Sequence, residues 1–84
     1  MEKSILIVLI GHRTGSAVKV QRILTEMGCI IKTRLGIHED STKECADIGL
    51  IILELTGSAE EKQNLVKKLE ALSEVKVKLV ELAL

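Results

Sequence analysis

Two stretches decide the fold: Ile5-Leu6-Ile7-Val8-Leu9-Ile10 and Ile48-Gly49-Leu50-Ile51-Ile52-Leu53-Glu54-Leu55. Each is a short run that is apolar at odd and even positions alike, as expected of a strand covered above and below. Two further runs differ. Ile30 to Ile37 (IIKTRLGI) and Val75 to Leu79 (VKVKL) carry Lys and Arg within the run, and lysine along a strand protects an exposed sheet edge from pairing with another chain. The expected sheet therefore has the first and third strands in its middle and the second and fourth at its edges.

Between the strands lie two segments of helical period. Ala17, Val20, Ile23, Leu24 and Met27 recur at helical spacing after the loop Gly11-His12-Arg13-Thr14-Gly15, and Gly28 marks the end. Thr56-Gly57-Ser58 opens the second helix, where Ser58 and Glu61 have the spacing of a capping box and Leu65, Val66, Leu69 and Leu72 form the apolar stripe. The order β-α-β-β-α-β, with His38 to Ala46 as a polar hairpin connection, gives an α+β, ferredoxin-like sandwich when crossovers are right-handed. Its sheet is four-stranded and antiparallel, in the order 4-1-3-2, with both helices on one face. Residues 1–84 are expected to form one domain, since no Pro, linker or low-complexity stretch divides them.

Composition narrows the function. A chain of 84 residues buries only roughly 60 to 65% of the surface that its unfolded form exposes, so its core is marginal alone. There is no Phe, Tyr or Trp, which excludes base stacking and aromatic cages. Lys plus Arg and Asp plus Glu balance at 12 each, and without a basic field nucleic-acid binding by this chain alone is not expected. Cys29 and Cys45 are too sparse for a disulfide scaffold. The first apolar run is too short for a signal peptide or a membrane span. A cytoplasmic protein with reduced thiols is expected.

Strand parity points to assembly. On the second strand Lys32, Arg34 and His38 share one parity and Ile31, Leu35 and Ile37 the other, and on the fourth Lys76 and Lys78 oppose Val75, Val77 and Leu79. With the aliphatic sets under the helices, the open face has basic edges. The central strands offer that face aliphatics whichever way they turn: Ile48, Leu50 and Ile52 with Glu54, or Ile51, Leu53 and Leu55. An apolar centre with a polar rim is the anatomy of a protein interface, so a homodimer or tetramer through this face is expected.

The segment Arg34-Leu35-Gly36-Ile37, the apolar third strand and the closing spacing of Leu69, Leu72, Val75, Val77 and Lys78 resemble the iron-only hydrogenase system regulator family. That family is similar in fold to ACT domains and to the metal-sensing domain of the nickel-responsive repressor. The resemblance implies a small regulatory or sensor module that binds a ligand, not a catalyst. Too few residues precede the first strand for a ribbon-helix-helix segment, so DNA binding is not carried over.

The chemistry-bearing residues gather at one end of the expected sheet, where the first loop meets the 38 to 46 hairpin. His12, His38 and Cys45 supply the nitrogen and sulfur donors that nickel, zinc or copper prefer, although their spacing matches no ligand motif. His12, Arg13, Thr14 and Gly15 offer a small anion the start of a helix and a guanidinium; the simpler reading of this loop is a tight turn with Thr14 or Ser16 as a cap. ACT-like domains often bind amino acids near this loop. Arg34, on the expected open face, is either a ligand clamp or an ion-pair partner of Glu54. The cofactor is thus open between a transition metal and a small anionic ligand, and a purely structural module that recruits another protein is the rival reading. Acylphosphatases share the element order and an Arg in the first loop. Their water-orienting Asn belongs on the third strand, and the sole Asn here, Asn64, falls on the second helix, so no enzyme is expected.

Overall fold

A computed structural model describes residues 1–11, 14–38 and 49–84, with the side chains of residues 14, 15, 37 and 38 left aside. In chain order it shows β1 (Glu2–Ile10), α1 (Thr14–Glu26), a short 3-10 turn (Gly28–Ile30), β2 (Ile31–His38), β3 (Gly49–Leu55), α2 (Ala59–Glu70) and β4 (Val75–Ala83). The strands form one antiparallel sheet in the order β2-β3-β1-β4. This is the expected ferredoxin-like topology, with the uninterrupted apolar runs at the centre and the Lys-bearing runs at the edges. The expected hairpin falls in residues 39–48, outside the described ones.

One face of the sheet is closed by the helices. Leu6, Val8 and Leu53 from the central strands and Val20, Leu65 and Leu69 from the helices are fully buried there. With no aromatic ring available, this core is assembled from branched aliphatics, whose small volumes interdigitate at crystal-like density. Ser58 caps α2 as its spacing requires: its hydroxyl accepts from the Glu61 amide at 3.1 Å, and the Glu61 carboxylate accepts from the Ser58 amide at 2.8 Å. The cap fixes where α2 starts, and the start sets which side chains meet the sheet. Gly57, at φ 94, makes the preceding turn in a conformation that side chains other than glycine adopt only at a cost.

Three departures from the sequence reading matter for the site. First, β4 runs four residues past Leu79, because Val80 to Ala83 pair with the start of β1 in the register Lys3↔Leu82 and Glu2↔Ala83. Second, the register of β2 on β3 shifts between Ile31 and Thr33, leaving Lys32 as an extra residue in a bulge. A bulge reverses the alternation beyond it. Ile31 pairs with Leu55 on the helix-covered side, but so does Arg34 with Leu53, while Leu35 pairs with Ile52 on the open side. Arg34 is therefore not on the open face, and Leu35 is, at 53% exposure. Third, Ser16 is not an N-terminal cap: it lies within α1, buried, and its hydroxyl donates to the Ser73 carbonyl at 2.6 Å, tying α1 to the turn before β4.

Candidate functional site

Gly11, His38 and Gly49, which flank the first loop and the 39–48 segment, belong to one end of the sheet. Ile10 pairs with Gly49 and with Val75, and His38 pairs with Gly49, so His38, Gly49, Ile10 and Val75 form a single rung. β1 leaves that rung through Gly11 towards α1, and the 39–48 segment leaves and re-enters at it. The topology thus gives the first loop and the hairpin a common end of the sheet, which is the geometric part of the expectation. His12, Arg13 and Cys45 lie outside the described residues. Thr14 opens α1 with Gly15 next to it, and His38 ends β2. Among the described residues, no three His, Cys, Asp or Glu side chains cluster in a metal-binding arrangement.

What the described residues add at this end is a negative charge. The Gly11 amide donates to the Glu74 carbonyl at 2.7 Å, and Glu74 itself sits at φ 62, a left-handed conformation that costs a non-glycine residue of order 1 kcal/mol or more. Its side chain lies over Gly11: a Cβ built there would be 2.7 Å from Glu74 Oε1 and 3.3 Å from its Cβ. A side chain at Gly11 would displace the Glu74 carboxylate, which stands beside the entry to α1. An anion placed at that entry meets a like charge, whereas a cation gains a partner.

Arg34 lies elsewhere than expected and has another partner. Its guanidinium donates to Gln21 Oε1 of α1, clasping the edge strand to the helix on the covered side. Glu54, its expected ion-pair partner, faces the open side and is held by Lys3 at 3.0 Å. The hydrogen bond from Lys3 keeps the Glu54 carboxyl below its ordinary value of 4.5 against partial desolvation, with smaller help from the Lys3 and Lys32 charges and the Thr33 hydroxyl. Cys29 is a free, exposed thiol in the 3-10 turn before β2, at the end of the sheet opposite His38.

A polar cluster was missed. Ser4, only 1% exposed, donates to Glu81 at 2.6 Å and accepts from Lys62 of α2 at 2.8 Å, with Lys62 and Glu81 3.9 Å apart. The signal was available: Ser4 has the same parity as Leu6, Val8 and Ile10 and so is a hydroxyl at a core position, which must find partners. Buried as it is, Ser4 joins α2 to β1 and β4 and has no route to a substrate. Beside it, Glu2, Glu81, Leu82 and Ala83 line an open hollow of about 160 Å³, well below the roughly 300 to 1,000 Å³ of a small-molecule site.

None of the described residues covers the other side of the sheet. Ile5, Ile7 and Leu9 of β1 face it with Leu50 and Ile52 of β3 and Leu35 of β2, and along the β4 edge Lys78 and Lys76 pair with Ile7 and Leu9. Leu9 is 44% exposed. Val80 and Leu82 continue the apolar surface past the Lys3–Glu54 pair.

No family model and no curated protein matches the chain. Solved structures do. The uncharacterized protein TM1266 from Thermotoga maritima superposes at a TM-score of 0.83 with 25% identity, over 99% of this chain and 100% of that one. The ACT domain of GTP pyrophosphokinase from Chlorobium tepidum matches at 0.68 with 10% identity, over 93% and 96%. CPII from Thiomonas intermedia K12, a nitrogen regulatory PII-like protein, matches at 0.62 with 12% identity, over 98% and 90%; CPII is also described bound to ADP, AMP and acetate. The chain therefore has the ferredoxin-like fold of ACT domains and PII-like proteins.

Proposed function

We propose that this protein is a small regulatory or sensor module of the cytoplasm, homo-oligomeric through its open sheet face. It binds a small ligand or a transition metal at the first-loop end of the sheet or where that end meets another copy. The observation that carries the reading is the rung of His38, Gly49, Ile10 and Val75, which gives the loop before α1 and both ends of the 39–48 segment a common origin. His12, Arg13, Thr14 and Gly15 are its candidate ligand residues, and His12, His38 and Cys45 its candidate metal donors. Arg34, clasped to Gln21 on the covered side, is a weaker candidate than its sequence position implied.

Two observations pull the ligand in opposite directions. The Glu74 carboxylate over Gly11 favours a cation, hence the metal. The bound ADP, AMP and acetate described for CPII favour an anion by analogy of fold. The finer resemblance, to regulators of iron-only hydrogenase systems, rests on Arg34 to Ile37 and on the spacing from Leu69 to Lys78.

Native mass spectrometry of untagged protein with zinc, nickel, ADP or acetate tests the reading. Retention of about one metal per subunit, lost in Glu74→Gln and in His12→Ala, supports the metal form. Retention of an anion that strengthens in Glu74→Gln supports the anion form. Protein that retains none of them at any tested concentration overturns the ligand half and leaves an interaction module, for which the uncovered aliphatic face already argues.

A further inference from the structure

We propose that a second copy of this chain covers the open face as a sheet-on-sheet sandwich whose two-fold axis runs in the plane between the sheets and parallel to the strands. β2 of each protomer then lies over β4 of its partner. The inference rests on the homo-oligomeric part of the reading above and adds which surfaces meet.

Area argues for a second copy. Four strands spaced about 4.8 Å apart, with the central one nine residues long, present a face on the order of 500 Å², so that two copies bury about 1,000 Å², the lower bound for a specific protein interface. The face is apolar where such an interface must be driest, at Ile7, Ile52, Leu9 and Leu50, and its only described acid, Glu54, is already neutralised within the protomer by Lys3. Its remaining charges, Lys76 and Lys78, stand at the β4 edge, so the centre of the face is aliphatic and matches itself.

Charge then selects the axis. Lys78 and Lys76 occupy adjacent positions of one parity on β4, beside Ile7 and Leu9. An axis perpendicular to the strands stacks β4 on β4 and brings the lysines of both copies to the same edge, a like-charge juxtaposition that desolvation sharpens. An axis parallel to the strands avoids it. Leu35, Ile52, Ile7 and Lys78 form one row across the sheet, and this operation reverses the row. Ile52 then lies over the partner's Ile7, and the aliphatic stem of Lys78 covers the partner's Leu35 while its ammonium clears the sheet edge into water. The bulge at Lys32 has a role in this arrangement, because it turns Leu35 outward to meet that stem.

The test is chemical cross-linking beside sedimentation, in a Cys29→Ser/Cys45→Ser background and at concentrations where the sedimentation coefficient is that of the assembly. Leu35→Cys protein is mixed with isotopically heavy Lys78→Cys protein and treated with a bismaleimide spanning about 10 Å, the spacing of packed sheets. Both positions are exposed, so neither change threatens the core. The predicted product is the light–heavy heterodimer, in at least tenfold excess over either homodimer. A dominant Lys78→Cys homodimer, or an assembly that yields no light–heavy product, overturns the arrangement while leaving homo-oligomerisation intact. A monomer at every concentration overturns both.

Discussion

The two faces of the sheet are built from the same aliphatic residues on the same strands, yet Leu53 is fully buried and its neighbour Ile52 is not. On the covered side Leu6, Val8, Ile51, Leu53 and Leu55 meet α1 and α2. On the open side Ile5, Ile7, Leu9, Leu50 and Ile52 repeat that chemistry, and none of the described residues covers them. Apolar side chains at both parities of a strand imply two coverings. The two helices, both on one face, supply a single covering, and the comparison teaches what the proposed association would add: the second.

The widest separation of the two faces comes from truncating adjacent residues of β3. Leu53→Ala leaves a cavity in a core that cannot collapse onto it and is expected to cost about 3 kcal/mol at any protein concentration. Ile52→Ala is expected to cost less, about 1 kcal/mol in dilute solution, where Ile52 is only part-buried among its sheet neighbours, and more as concentration rises and the face is covered. Denaturant melts of both variants at two concentrations separated a hundredfold check this. Equal, concentration-independent losses would erase the distinction between the faces.

A middle-sized effect belongs to the covering itself. Gly57→Ala forces a side chain into a left-handed turn, with its Cβ 3.0 Å from Ile30 Cγ2 and 2.7 Å from Glu61 Oε1 of the capping box. The expected loss is about 2 kcal/mol from backbone strain together with a disturbed cap. It should lower thermal stability without altering the association measured below the transition, because it lies on the covered side.

The smallest effect reads the open face by pH. The Glu54 carboxyl is held below 4.5 chiefly by the Lys3 hydrogen bond, with Lys32 and the Thr33 hydroxyl as its other neighbours. A carboxyl lowered by folding contributes stability that is complete above its unfolded value and disappears as pH falls through its folded one. Stability should therefore decline below about pH 4.5, and Glu54→Gln should flatten that decline. An identical pH profile in the variant would mean that the pair contributes nothing, as many exposed pairs do.

How much of this was legible follows from which interactions are local. Element order, central and edge strands, the α2 cap and the stripe from Leu65 to Leu72 are local patterns, and each is present. The face of Arg34 was not legible, because alternation propagates an error from a single inserted residue and nothing in Ile31-Lys32-Thr33 announces a bulge. The partner of Glu54 was missed for a related reason: Lys3 reaches it through the β1–β3 register, which parity on one strand does not give. The length of β4 likewise depended on pairing, since Val80-Glu81-Leu82 continues only because Ile5, Ser4 and Lys3 lie opposite. Of the candidate site, the shared end of the sheet was legible and the Glu74 carboxylate over Gly11 was not, because its left-handed backbone has no glycine or asparagine to signal it.

The most direct measurement of the central claim is sedimentation equilibrium of the wild-type chain and of Ile52→Lys, each monitored for folding by circular dichroism. The predicted result is a wild-type dimer or higher assembly at micromolar concentration and a folded, monomeric variant, since a lysine at the centre of the open face prevents covering without touching the helix side. A wild-type chain that remains monomeric, or a variant that associates as tightly as wild type, would contradict the account.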